Sequence, residues 1–261
     1  MSEPLIHYEA SAGVALLEMR NPPANAYSYE MFRQMDDAIL KARFDEAVHV
    51  IVLRGQGDKF FSAGADIRML ADMTPAFKYN FCLHANETLN RLEQTPKLVI
   101  AALNGHTVGG GLEIAMAADL RVARQGAGKI GLPEVKLGVL PGTGGTQRLS
   151  RLVGKAKALE MMMTGDLIGF EQAQALGLVN RVLEGDFDAA VAAYARGFLP
   201  PGKASRAVGH IKRAVQSGIE MSFTEGLALE RELQQRLFES DDATEGLDAS
   251  NQKRPPVFKG R

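Results

Sequence analysis

A chain of 261 residues is long for one domain and short for two, and it can bury a large core. Its 30 Lys and Arg against 31 Asp and Glu give a formal net charge of -1, which excludes a charge field built to attract nucleic acid or acidic lipid. The single cysteine, Cys82, excludes an internal disulfide and a CxxC metal site, so a cytoplasmic setting is expected.

The first residues, MSEPLIHYEASAG, carry no basic region followed by an apolar one, so no secretory signal is expected; they are acidic, which disfavours a transit peptide. No run of about 18 apolar residues predicts a membrane span. Gly13 to Met19 reads as a strand, followed by the turn-rich segment Asn21 to Ala26. Met31, Met35, Ala38, Ile39 and Ala42 recur at helical spacing. Val48 to Leu53 is a near-continuous apolar strand of the kind buried on both faces. Phe60 to Leu70 supplies a small-residue turn, and Phe77 to Gln94 predicts a helix. Leu98 to Leu103 is a second buried strand, Gly110 to Ala118 a short helix and Leu120 to Ala123 another strand. Lys155 to Thr164 and Glu171 to Leu176 are helical, Gly177 is a helix stop, and Leu178 to Val182 closes the strand series. Ala189 to Arg236 is mostly helical. Alternating strands and helices predict an α/β fold with a mainly parallel sheet. The expected division is a core over 1-190 and a helical region over 191-261.

Two glycine-rich segments dominate the chemistry, NGHTVGGGLEIAMAAD and GLPEVKLGVLPGTGGTQRL. Eleven of the 27 glycines fall between Gly105 and Gly145, so close approach to backbone is concentrated there. A helix starting at Gly109 to Gly111 offers unpaired N–H groups with partial positive charge, and the turn at Ser62 to Asp66 offers a second source. Two converging amides suit a carbonyl that becomes an enolate. Glu113 and Glu134 each sit among apolar residues, where a carboxyl group has a raised pKa and can shuttle protons. Each feature has a structural reading too. The glycines permit tight strand-to-helix packing, Glu113 complements a helix dipole, and Glu134 is a solvated turn residue. The five histidines show no metal-binding spacing, and only His106 lies near the glycine loop. Neither a P-loop nor a GxSxG motif is present.

Together these segments resemble the enoyl-CoA hydratase/isomerase (crotonase) superfamily. The resemblance runs from PPANA at Pro22 through SAGADIR, NGHTVGGGLEIAMAADLRVA, GLPEVKLGVLPGTGGTQRLSRLVG, TGD and AQALGLVNRV to Lys253 and Arg254. It implies a ClpP/crotonase-type spiral of ββα repeats whose C-terminal helices cover the active site or mediate trimerisation. A homotrimer or homohexamer is expected. The oxyanion-hole amides map to Ala65 and Gly110, and the hydratase pair to Glu113 and Glu134. The implied reaction is reversible hydration of a 2-trans-enoyl-CoA, as in fatty-acid β-oxidation. No cofactor and no metal are implied, because coenzyme A is part of the substrate. Ala24, Ala26, Ala63, Gly64, Asp66, Ile67, Arg68, Pro133, Gly142 and Lys253 map to CoA or acyl contacts. A lysine often found before the ANA segment is absent, with Pro22 and Pro23 there, and Ser250 stands where some relatives carry an aromatic residue.

Other readings are a different acyl-CoA reaction of the same superfamily, such as dehydration of a branched or acidic substrate or enoyl isomerisation. Some relatives bind RNA, but the near-neutral charge argues against that, and no nucleic-acid or membrane partner is expected. A related serine-protease fold lacks support because no Ser/His/Asp order is recognisable. The pocket wall that sets chain length is expected around Leu70 to Phe81.

Overall fold

Val50–Gly55 (β3) and Leu98–Leu103 (β5) run parallel and adjacent, with Val50 opposite Leu98 and Leu53 opposite Ala101. Successive side chains on a strand point to opposite faces. Ile51, Leu53, Val99, Ala101 and Leu103 therefore enter one apolar core, and Val50, Val52, Leu98, Ile100 and Ala102 enter another across the sheet. That is why both segments read as unbroken apolar runs. The structure is a computed structural model and describes residues 3–260; residues 1, 2 and 261 of the expected core and helical regions lie outside the described residues.

The large sheet continues outward on both sides. Ile6–Ser11 (β1) and Val14–Met19 (β2) form an antiparallel hairpin on one side of β3. Leu120–Arg124 (β7) and Arg181–Leu183 (β10) extend the parallel part, giving the order β1-β2-β3-β5-β7-β10. A second sheet has the order Phe60–Ser62 (β4), His106–Val108 (β6), Lys129–Gly131 (β8) and Ile168–Gly169 (β9). Three times in succession the chain places one strand in the large sheet and the next in the small one: β3 then β4, β5 then β6, β7 then β8. Helical turns follow each pair. This is the expected spiral of ββα units.

Tyr29–Phe44 (α1) and Pro75–Glu93 (α3) cover the first core face. Ser28 caps α1 by accepting the Met31 N–H at 3.2 Å, and Thr74 caps α3, with Pro75 at its first position. Ile67–Asp72 (α2) and Gly110–Met116 (α4) begin at the ends of β4 and β6, and Gly145–Val153 (α5), Lys155–Thr164 (α6) and Phe170–Ala175 (α7) follow. Phe187–Arg196 (α8) places Phe187, Val191 and Ala195 on the second core face. The expected division between residues 190 and 191 falls inside this helix.

Ser205–Gly218 (α9), Phe223–Phe238 (α10) and Asp241–Asn251 (α11) follow, with no further strand among the described residues. Lys212 anchors α9 to the core through a 2.8 Å ion pair with Asp119, both largely buried. Ile211, Val215, Ile219 and Phe223 remain exposed. Among the described residues no helix is long and apolar enough to cross a membrane.

Several boundaries differ from the sequence reading. β1 is an additional edge strand, and its alternation is partial because its later residues are exposed. The strand expected from Val48 starts at Val50, and the one expected from Leu178 starts at Arg181 because Leu178 and Val179 bond back onto α7. β4, β6, β8 and β9 span only two or three residues each, too few to show a period.

Candidate active site

β6 ends at Val108, and Gly109 turns the chain into α4 with φ +57°, a conformation that costs glycine little. The Gly109 N–H donates to the Gly131 carbonyl at 2.9 Å. Gly110 follows as the first helical residue, whose N–H has no carbonyl one turn back to meet. Ala65 arrives from the other side. It bridges Tyr27: the Tyr27 N–H donates to the Gly64 carbonyl at 2.8 Å and the Asp66 N–H to the Tyr27 carbonyl at 3.0 Å. That pairing turns the Ala65 N–H away from Tyr27. Neither the Ala65 nor the Gly110 N–H donates to any atom among the described residues. The two segments touch, since a Cβ on Gly64, whose φ is +92°, would fall 2.9 Å from the Gly110 nitrogen.

Glu113 lies one turn into α4 and is 2% exposed. Its Oε1 accepts two N–H groups, from Thr143 and Gly145, each at 2.7 Å. Gly145 opens α5, so the carboxylate caps that helix at its positive end. Burial raises the Glu113 pKa, and the Gly145 and Thr143 N–H groups oppose that rise, with Arg148 and the Thr143 hydroxyl adding to them. Arg148 is itself held by Glu93, at 2.9 and 2.7 Å, and reaches the Thr143 carbonyl at 3.3 Å.

Glu134 opens the 3-10 turn Glu134–Leu137. Burial pushes its pKa up to about 7, its own backbone N–H pulls it down, and the charge of Glu113 adds to the rise. Its Oε2 is buried without a hydrogen-bond partner among the described residues. Its Oε1 lies against Gly109, where a Cβ would stand 3.0 Å away. Two carboxyl groups and two free amides thus share one small region. One carboxyl is satisfied by backbone donors and the other is unsatisfied and readily protonated.

The other expected residues divide into two groups. Ala24 accepts the Ala63 N–H at 2.9 Å and so joins the Ala65 segment to the PPANA turn. Ala26 accepts from Asn21 at 2.5 Å in the same turn. Gly64 is buried there, and Asp66 caps α2 by accepting the Arg68 N–H at 2.9 Å. Ile67 and Arg68 are exposed at the mouth. Pro133 precedes Glu134, and Gly142 precedes Thr143 with Cys82 Sγ beside it. Lys253 stands apart: it is exposed beyond α11, and no contact among the described residues joins it to this cluster. His106 is structural, accepting the Lys129 N–H at 3.1 Å and packing on Phe60. A groove of about 610 Å³ runs beside Ser28, Tyr29, Met69, Met73 and Phe77, overlapping the wall expected around Leu70 to Phe81.

Sequence reasoning missed Tyr27, Thr143 and Arg148. Arg148 and Thr143 lie in the quoted PGTGGTQRL segment, but nothing local marks them as neighbours of Glu113. Tyr27 is buried, and its ring lies over Gly110.

A family model described as enoyl-CoA hydratase/isomerase matches residues 9–261. A Bacillus subtilis protein named probable enoyl-CoA hydratase is 38% identical over 248 residues, covering 95% of each chain. Mouse mitochondrial methylglutaconyl-CoA hydratase is 36% identical over 259 residues, covering 97% of this chain and 81% of that one. A crystal structure titled as an enoyl-CoA hydratase from Geobacillus kaustophilus superposes with a TM-score of 0.96 at 44% identity, over 100% of this chain and 98% of that chain.

Proposed function

Since the chain belongs to the enoyl-CoA hydratase/isomerase family of crotonase-superfamily enzymes, we propose that it hydrates 2-trans-enoyl-CoA reversibly to 3-hydroxyacyl-CoA. The observation that carries this reading is the unequal carboxyl pair beside two unpaired amides. The thioester oxygen accepts the Ala65 and Gly110 N–H groups. Water between the carboxyls loses a proton to Glu113 and adds to C3. The double-bond electrons move to C2 and the carbonyl, forming an enolate whose charge peaks at the amides. Glu134 then delivers its proton to C2. The net addition puts the water oxygen with one hydrogen on C3 and a proton on C2; return of the proton held by Glu113 to Glu134 restores the starting state, and the reverse path is dehydration.

The environments support this division of labour. Burial raises the Glu113 pKa, and the two N–H donors favour its charged form over what burial alone would leave, which suits a base. A carboxyl group with a pKa of about 7 and an unpartnered oxygen carries a proton near neutrality. Of the mapped contacts, Ala63 to Arg68 form the path for CoA, with Arg68 near a phosphate. In this reading Lys253, exposed beyond α11, serves a neighbouring copy of the chain. The exposed apolar residues of α9 and α10 support a trimer or hexamer. Light scattering at micromolar concentration should report three or six chains. The groove beside Tyr29 and Phe77 is lined by Glu30 and Asp72 and by no Lys or Arg; taken as the acyl site, it favours an uncharged acyl chain over a dicarboxylic one. A cytoplasmic setting remains part of the proposal. Kinetics across enoyl-CoA chain lengths, followed as loss of conjugation, test the reaction. Turnover only of a 3-enoyl-CoA would replace hydration with isomerisation.

A further inference from the structure

Tyr27 meets three parts of the site. Its backbone bridges Ala65, its phenol lies over Gly110, and its hydroxyl stands 3.5 Å from Thr143 Oγ1 across 116 positions of sequence. The ring is wedged edge-on against Phe32 at 4.8 Å and beside Phe81 at 6.1 Å. Both Tyr27 and Thr143 are buried. Thr143 in turn donates its N–H to Glu113 Oε1 at 2.7 Å.

We propose that Tyr27 and Thr143 form a relay onto Glu113, in which the pair of hydroxyls fixes Thr143 and the Thr143 N–H fixes the carboxylate, with Tyr27 a positioning residue for that carboxylate. The proposal rests on the reading of Glu113 as the base. Thr143 Oγ1 is the one hydrogen-bond partner of the Tyr27 hydroxyl among the described residues. Burial and the charge of Glu113 raise the phenol pKa, the Thr143 hydroxyl lowers it, and Cys82 and Glu134 add to the rise, so the phenol keeps its proton and either hydroxyl of the pair can donate to the other. Fixing the Thr143 side chain fixes its backbone, and the Thr143 N–H is what holds Glu113 Oε1 at 2.7 Å.

The other charges facing this group are accounted for. Arg148 on α5 is engaged by Glu93 on α3, and Glu134 approaches from the 3-10 turn. Cys82 on α3 faces Tyr27. None of these donates a hydrogen bond to the Tyr27 hydroxyl. A wedge that only packed would need the ring alone; a relay needs the oxygen.

The test compares Tyr27→Phe, Thr143→Val, the double variant and Thr143→Ser. Two readouts are taken: the pH profile of kcat on crotonyl-CoA, and the Glu113 titration followed by carboxyl-13C NMR, assigned with Glu113→Gln. Tyr27→Phe should lower kcat about two- to tenfold, the value of one neutral hydrogen bond, with KM unchanged. A base that has lost a stabilising donor holds its proton to higher pH, so the acid limb and the NMR titration should both move up. Thr143→Val should do the same, and it reads the link independently if Tyr27→Phe folds poorly. The double variant should match Thr143→Val alone, because both lesions break one chain. Thr143→Ser should restore the profile. An unmoved titration in folded Tyr27→Phe and Thr143→Val, or additive losses in the double variant, overturns the relay. A titration that moves in a protein without hydratase activity supports the relay and refutes the hydration reading instead.

Discussion

Gly145 donates its N–H to Glu113 Oε1 at 2.7 Å, and a Cβ on Gly145 would fall 2.9 Å from the same oxygen and 2.7 Å from the Pro141 side chain. The donor that fixes the carboxylate and the absent side chain are one feature. Gly145→Ala should therefore displace Glu113 without removing any functional group. Overpacking costs typically ~1–3 kcal/mol, so melting should fall by several degrees. Turnover should fall by about 10-fold or more, as expected when a positioned group moves. A variant with parent kcat would show that the Gly145 contact does not position the base.

Glu113→Gln and Glu134→Gln should each lower kcat by about two to four orders of magnitude, the range for a lost acid or base. KM should change much less. Near-normal turnover in either variant would remove that residue from the mechanism.

Glu134 also predicts how stability depends on pH. Burial raises its folded-state pKa from 4.5 to about 7, so between those values the folded protein binds the proton that the unfolded chain has lost. Stability from this group is fully present below pH 4.5 and is lost as pH rises through about 7. Replacement by Gln removes the titration. The melting temperature of Glu134→Gln relative to the parent should therefore rise across that window, read by thermal scans at fixed ionic strength. The same titration should make parent hydration decline above pH 7, as the acid form of Glu134 disappears. A flat difference between the two melting curves would mean that Glu134 is not desolvated.

Gly110 and Tyr27 are predicted to be coupled. A Cβ on Gly110 would lie 2.1 Å from the Tyr27 hydroxyl oxygen and 2.6 Å from the ring carbon bearing it. Gly110→Ala should lower both melting temperature and kcat. Tyr27→Leu removes those atoms, and the double variant should be more stable than the sum of the single losses predicts, by about 0.5–3 kcal/mol. Strict additivity in denaturant titrations would show that the phenol moves aside at no cost.

The sequence alone determined which residues can carry the proposed chemistry and their order along the chain. Buried strands at Val50 and Leu98 announce themselves by unbroken apolar runs, and Glu113 and Glu134 by their apolar neighbours. The glycine turns at Gly64 and Gly109 are legible because only glycine tolerates a positive φ at such close approach. What the tertiary structure decided is convergence. Tyr27 meets Thr143, and Glu113 meets the first N–H of α5, across separations of 116 and 32 positions. Local periodicity reports which face of an element is buried, not which other element covers it. The short strands β4, β6 and β8, three residues each, carry no period of their own, yet their parallel pairing brings Ala65, Gly110 and Glu134 to one place.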